Sequence, residues 1–252
     1  MRQALIRFYS ELNDFLPAES QSVTVSHLFM GNPAIKDSLE ALGVPHTEVD
    51  LILVNGESVD FRYLLQDGDR ASVFPEFRSI DITPVLKVRP ESLQEVQFVL
   101  DIHLGRLASY LRMLGFNSLY RNDYADEELA SVAHLEGRIL LTRDRGLLKR
   151  SEVTHGYYLR ASQPYAQLIE VMRRFTLTRL AAPFKLCIRC NGMLEDVSKG
   201  MVEDQLPPKV IERHAQFRRC RNCGQVFWQG THYERMRRFI AQVFEEVNRS
   251  ER

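Results

Sequence analysis

Apolar residues recur along this chain in two rhythms, and the change between them near residue 97 marks a change of architecture. In the first third the rhythm is short and alternating. "RQALIRFYSEL" opens with an apolar run suited to a strand, and "SQSVTVSHLF" alternates as its hairpin partner. "NPAIKDSLEALGVP" predicts a short helix with Asn32 as N-cap and Pro33 at the first helical position. Its apolar side is Ile35, Leu39 and Leu42, and Gly43 closes it. "VDLILVNGESVDF" and "LLQDGDRASVFPEF" predict further strands, with turn signals at Asn55-Gly56 and Asp67-Gly68.

The order strand, strand, helix, strand, strand is that of a β-grasp, an α+β domain expected over residues 1–80. A segment with two prolines and no period, "SIDITPVLKVRPES", predicts a linker, set at residues 81–96. The second rhythm then begins. "QFVLD" and "RILLTRD" are apolar runs that each end in a carboxylate. Between them, "IHLGRLASYLRMLG" puts Leu104, Leu107, Ala108, Leu111 and Leu114 on one helical face, leaving Arg106 and Arg112 outside it to balance nearby acids. "YADEELASVAHLEG" predicts another helix, acidic in its first turn. "RGLLKR" follows as a turn of helix, "GYYLR" as a strand, and about Gln163 to Phe175 as a helix. Such alternation predicts an α/β domain over 97–180, a parallel sheet of about four strands flanked by helices.

Four cysteines change the picture of the remainder, residues 181–252. Cys187/Cys190 and Cys220/Cys223 form two C-x2-C pairs, the pattern of a zinc ribbon in which four thiolates complete a tetrahedral site. Two disulfides or four unrelated thiols are the alternatives. The absence of a secretory signal favours a reducing, cytoplasmic setting and therefore Zn2+. A site closed by four protein ligands is structural, so His232 is not needed as a ligand. "VSKGMVEDQLPPKV" loops out between the knuckles, and "ERMRRFIAQVFEEVNR" predicts a terminal amphipathic helix that docks on the protein.

Net charge is zero, but residues 1–136 carry −10 and residues 137–252 carry +10. A basic half suits a polyanion, because Lys and Arg neutralise phosphates and release counterions; attraction between the halves would use the same charges. Around the second knuckle, Arg218, Arg219 and Arg221 lie close to Phe227, Trp228 and Tyr233, a mixture suited to single-stranded RNA; alternatively the aromatics pack the ribbon against the α/β domain. No apolar run is long enough to span a membrane.

In a parallel sheet the functional crevice lies at the carboxyl ends of the strands, where Asp101 and Asp144 fall and where the acids opening the intervening helix face. Three such carboxylates suit Mg2+ or Mn2+ and the hydrolysis of phosphodiesters. Asp144 and Asp126 also have plain duties available as helix caps, whereas Asp101 has none in view. Arg143, Arg145 and Lys149 are placed to bind substrate phosphates.

"LILVNGE" and "LLQDGDRASVFP" resemble the ubiquitin-like sulfur carriers, but without a free terminal Gly-Gly the carrier activity is not expected. "VLDIHLGRLASYLRMLGFNSLYRND", "DEELASVAHLEGRILLTRDRGLLKR" and the knuckles ending "CGQVFWQGTHYERM" resemble the PIN-like RNase domain known from the C-terminal region of the Mut-seven exonuclease. In that family a β-grasp domain often precedes the RNase domain. The resemblance implies a metal-dependent ribonuclease, with Asp101, Asp126 and Asp144 as its acids and Thr142 orienting Asp144 at the substrate site. "GYYLRAS" offers no fourth acid, so a one-metal or substrate-completed site is open. The alternatives are a noncatalytic RNA- or ribosome-binding module and a scaffold whose β-grasp domain recruits a protein partner.

Overall fold

The computed structural model describes residues 1–77, 83–88 and 95–249. In chain order the elements are β1 (Arg2–Phe8), β2 (Thr24–Phe29), α1 (Ile35–Ala41), β3 (Leu51–Val54), β4 (Glu57–Val59) and β5 (Arg70–Phe74). Then come β6 (Phe98–Leu100), α2 (Gly105–Met113), β7 (Ser118–Leu119), α3 (Asp126–Leu135), β8 (Ile139–Thr142), α4 (Arg145–Leu148), β9 (Gly156–Tyr158) and α5 (Pro164–Arg174). The last are β10 (Leu194–Val197), α6 (Pro208–Arg213), β11 (Phe217–Cys220), β12 (Val226–Trp228) and α7 (Thr231–Arg249). The chain divides into two compact units, each built from two stretches: 1–95 with 130–158, and 96–129 with 159–252.

In the first unit a five-stranded sheet runs in the order β2-β1-β5-β3-β4, with β1 and β5 parallel at its centre. This is the β-grasp arrangement. Alternate residues of β1, Ala4, Ile6 and Phe8, point into one core with Leu39, Ile52 and Val73. Each large apolar side chain buried in this way is worth about 1.5–3 kcal/mol. Asn55 and Gly56 both have positive φ, at 52° and 90°, which closes the tight β3–β4 hairpin that their sequence predicts. The start of α1 differs from expectation: Ala34 occupies the N-cap, without a side-chain bond. Asn32 instead accepts a hydrogen bond from Arg2 and donates to Gln66 Oε1 at 3.3 Å, so it ties the start of β1 to the turn before β5.

Residues 81–82 and 89–94 of the expected linker lie outside the described residues. Its described part packs on the β-grasp. Val88 is buried in the same core, Ser58 Oγ donates to Val85 O at 2.5 Å, and Lys87 Nζ donates to Ser58 O at 2.8 Å. The other stretch of this unit carries the end of α3, the parallel pair β8–β9, and α4. All four residues of β8 are buried, as an unbroken apolar run in a parallel sheet requires.

The second unit carries the parallel pair β6–β7 with α2 and α5, so the parallel strands alternate with helices as the α/β rhythm predicts. The three-stranded sheet β10-β11-β12 forms the ribbon. Along α7, Ile240, Val243 and Val247 are buried, and Phe239 meets Tyr110 of α2 and Tyr165 of α5 at ring-centroid distances of 4.7 and 5.7 Å. The terminal helix therefore docks, on α2 and α5. Trp228 packs inside the ribbon module, against a small core of Val202, Phe217 and Val226, with Val210 and Ile211 of the loop-out also packed on it. That cluster explains why the insertion between the knuckles is ordered.

Gly115 ends α2 at φ 92°, and a Cβ there would lie 2.1 Å from the carbonyl oxygen of Ala182. Backbone–backbone bonds Ala182 N to Leu114 O (2.9 Å) and Phe184 N to Met113 O (3.0 Å) hold this approach. Gly115→Ala is therefore expected to cost about 3 kcal/mol or more, through a left-handed alanine and a backbone collision together. A urea unfolding midpoint lowered in proportion is the check. An unchanged midpoint would mean that the Ala182 segment moves aside at no cost.

Candidate functional site

Each cysteine pair sits in a tight knuckle whose final turn needs a left-handed residue. Asn191 (φ 70°) supplies it after Cys190, and Gly224 (φ 72°) after Cys223. The hydrogen bonds of the two knuckles match: Asn191 N to Cys187 O at 2.9 Å, and Gly224 N to Cys220 O at 3.0 Å. The sulfurs converge, with Cys187 Sγ 3.8 Å from Cys223 Sγ and Cys190 Sγ 3.4 Å from Cys220 Sγ. Tetrahedral Zn–S bonds of about 2.3 Å require S···S separations of about 3.8 Å, so the donor set fits. Among the described residues, these four form the group of His, Cys, Asp or Glu side chains whose donor atoms all lie within 4.8 Å of one another. They can hold a metal ion such as zinc.

The protons are unevenly shared. Burial pushes the Cys187 thiol up and, helped by its thiol neighbours, raises Cys190 to about 12. Burial also opposes ionisation of Cys220, but amide groups of Cys223 and Asn222 and the neighbouring thiols outweigh it and bring Cys220 down to about 7. Metal binding at such a cluster requires the thiolates and therefore releases protons.

Arg112, expected to balance the nearby acids, is instead buried at 3% exposure and braces this cluster. Its Nε donates to Ser118 O at 2.8 Å, and one terminal nitrogen donates to Arg189 O at 2.9 Å and Ile188 O at 3.4 Å. Asn191 completes the dock, accepting from Ser118 N at 2.9 Å and donating to Asn117 Oδ1 at 2.7 Å. Burial lowers the pKa of this guanidinium, and Cys190 and Cys187 stand close enough that their thiolate forms would favour the cation. No local signal marks this role, because the ribbon carbonyls that Arg112 meets lie 76 and 77 residues away in sequence.

The acids stand on separate elements. Asp101 follows β6 directly and is half-buried; its side chain makes no cap bond to the helical turn that follows, whose hydrogen bond uses the Asp101 carbonyl. Tyr120 pins that turn by donating to Ile102 O at 2.9 Å. Asp126 is the exposed first residue of α3. Of its acidic neighbours, Asp123 and Glu128 are bound to Arg121 at 2.9 and 2.6 Å, and that bond holds the Asp123 carboxyl below the usual range. Asp144 follows β8 and caps α4: its Oδ1 accepts from Gly146 N at 2.6 Å and Leu147 N at 3.4 Å. Both bonds fall on one oxygen, so the cap does not use the other. Thr142 is fully buried, and its Oγ1 accepts from Asp144 N at 2.9 Å.

Of the cations, Arg143 is exposed. Arg145 donates to Phe15 O at 3.1 Å and Asp14 O at 3.0 Å, and Lys149 donates to Glu40 O at 2.7 Å. On the ribbon, the β10–β11 register sets Arg219 opposite Glu195 (3.2 Å) and Arg218 opposite Asp196 (3.0 Å), and Arg221, just past β11, also reaches Glu195 at 3.0 Å. Glu170, which no motif marks, accepts from Arg160 N and Ala161 N, both at 2.9 Å. A cleft of about 950 Å³ opens beside the ribbon, with Phe184, Trp228, His232 and Tyr233 in its wall.

Residues 96–240 match the family model described as the Mut7-C RNAse domain, and residues 1–81 match the one described as Mut7-C ubiquitin. No curated protein matches the chain. Among the described residues no helix is long and apolar enough to cross a membrane.

Proposed function

The chain belongs to the Mut7-C RNAse domain family, and from that premise we propose that it is a divalent-metal-dependent ribonuclease of PIN type, a hydrolase acting on RNA phosphodiester bonds. The observation that carries the reading is the position of Asp101 and Asp144. Asp101 directly follows one buried strand of a parallel pair and Asp144 lies two residues past the end of another, both within the matched region, where an α/β sheet presents its ligands.

Asp101, Asp126 and Asp144 hold a Mg2+ or Mn2+ ion in this proposal, since hard cations take carboxylate oxygens. Such an ion, when bound, activates water and stabilises charge on the departing oxygen. The oxygen of Asp144 outside the cap is the one available for it, and Thr142 orients that carboxylate through the Asp144 amide. Since the strand segment "GYYLRAS" offers no fourth acid, the three acids would suit a one-metal or a substrate-completed site. Arg143 holds a neighbouring phosphate. The aromatic wall of the ribbon cleft gives stacking surfaces for single-stranded RNA, and the ribbon's zinc is structural. Four metal-binding thiolates suit a reducing compartment such as the cytoplasm.

Labelled single-stranded RNA incubated with the zinc-retaining protein and Mn2+ or Mg2+ is expected to be cleaved. Asp101→Asn and Asp144→Asn are expected to lower the rate by about 100-fold or more, the loss of several kcal/mol of transition-state stabilisation. Retained RNA binding without cleavage by the wild type under any divalent ion would replace the nuclease with a binding module.

A further inference from the structure

Arg145 follows Asp144 and, by sequence, belongs with the phosphate-binding cations. Its surroundings give it other work. Its two terminal nitrogens donate to the carbonyls of Asp14 and Phe15, and the guanidinium lies 5.1 Å from the Phe15 ring centroid and 5.5 Å from that of Tyr158. The two rings meet edge to face at 5.3 Å, so they form a corner into which the planar cation fits.

Three further bonds join the same two stretches of the first unit. Lys149 Nζ donates to Glu40 O at 2.7 Å, Tyr158 N donates to Glu48 Oε1 at 2.6 Å, and His46 Nε2 lies 2.8 Å from Val153 O. The approach is close enough that a Cβ on Gly156 would come within 3.4 Å of Thr47 Cβ. The β-grasp residues thus grip α4 at both ends and β9 beside it.

We propose that Arg145 is a positioning residue through which the β-grasp domain fixes the Asp144 carboxylate. Arg145 is the first residue of α4, so anchoring its side chain on Asp14 and Phe15 sets the first turn of a helix only four residues long. That turn carries the Gly146 and Leu147 amides that hold Asp144 Oδ1. A helix this short does not persist on its own hydrogen bonds, and it needs an external anchor. The catalytic part of this inference rests on the nuclease reading; the positioning itself does not.

Amide hydrogen exchange and steady-state cleavage, measured on full-length Arg145→Ala and Arg145→Lys, test it. In Arg145→Ala, protection of the Gly146 and Leu147 amides is expected to fall by about five- to tenfold, the equivalent of a lost cap. The kcat for RNA falls while KM holds, and Arg145→Lys, which keeps the charge and stem, recovers part of both. Unchanged protection overturns the proposal, and a raised KM with unchanged kcat returns Arg145 to phosphate binding. If the wild type cleaves no RNA, the nuclease reading fails, and the exchange result still decides whether Arg145 positions Asp144. If Arg145→Ala does not fold, Arg145→Lys carries the test through its smaller loss of protection.

Discussion

Cys187→Ser protein is expected to lose the capacity to hold a metal ion such as zinc at the four-cysteine site and, with it, the cooperative unfolding of the second unit. Cys187 is fully buried, so a serine hydroxyl there neither ligates as a thiolate does nor reaches water. Structural zinc sites contribute binding free energy directly to folding, about 10–16 kcal/mol in isolated modules. The ribbon here is also anchored by protein contacts, so the net loss is smaller but still several kcal/mol. Metal content by mass spectrometry and the melting curve with and without a chelator are the measurements. Acid should act in the same direction, because protons compete for thiolates and metal-derived stability is lost as pH falls. A Cys187→Ser protein that keeps one zinc per chain and melts normally would remove Cys187 from the site.

Arg112→Ala is expected to be the most damaging change outside the cysteines, costing about 3–5 kcal/mol. It removes the donors for the carbonyls of Ser118 and Arg189 in a buried setting, and bonds to a charged donor are each worth about 1.5–3 kcal/mol. It also withdraws a positive charge from the neighbourhood of Cys187 and Cys190, where a bound metal leaves a net negative cluster. Arg112→Met, which keeps the stem volume, separates packing from polarity: it should recover only the cavity part of the loss. The two effects share one network, so the Cys187→Ser, Arg112→Ala double variant should lose less than the sum. Full additivity in urea unfolding would mean that α2 and the knuckle are not coupled.

The two rhythms of the chain carried most of the architecture. Alternation gave four strands around one helix; the structure splits the third, "VDLILVNGESVDF", into the β3–β4 hairpin at Asn55 and Gly56, whose positive φ fixes its register. The cysteine spacing was as legible, because two ligands on one turn leave little geometric choice. What stayed hidden were polar contacts across long sequence separation. Arg112 with Arg189, Arg145 with Asp14 and Lys149 with Glu40 are each unreadable from local pattern, since an arginine or lysine at a helix surface looks the same whether it meets water or a carbonyl. Asn32 was misplaced for a related reason: a good capping residue has other partners once the chain folds back beside it. Asp144 shows that two readings of a residue need not compete, because its cap uses a single oxygen.

The make-up of the first unit bears on how the protein is synthesised. Its β-grasp half lies first in the chain, while its other stretch, 130–158, is translated only after 34 residues that belong elsewhere. On a ribosome, the carbonyls of Asp14, Phe15 and Glu40 therefore stay hydrated until that stretch has emerged. The five-stranded sheet can close early, but its grip on α4 and β9 cannot. A nascent chain stalled short of residue 158 exposes these acceptors together with the corner of the Phe15 ring. Those contacts form only when translation has supplied Arg145, Lys149 and Tyr158.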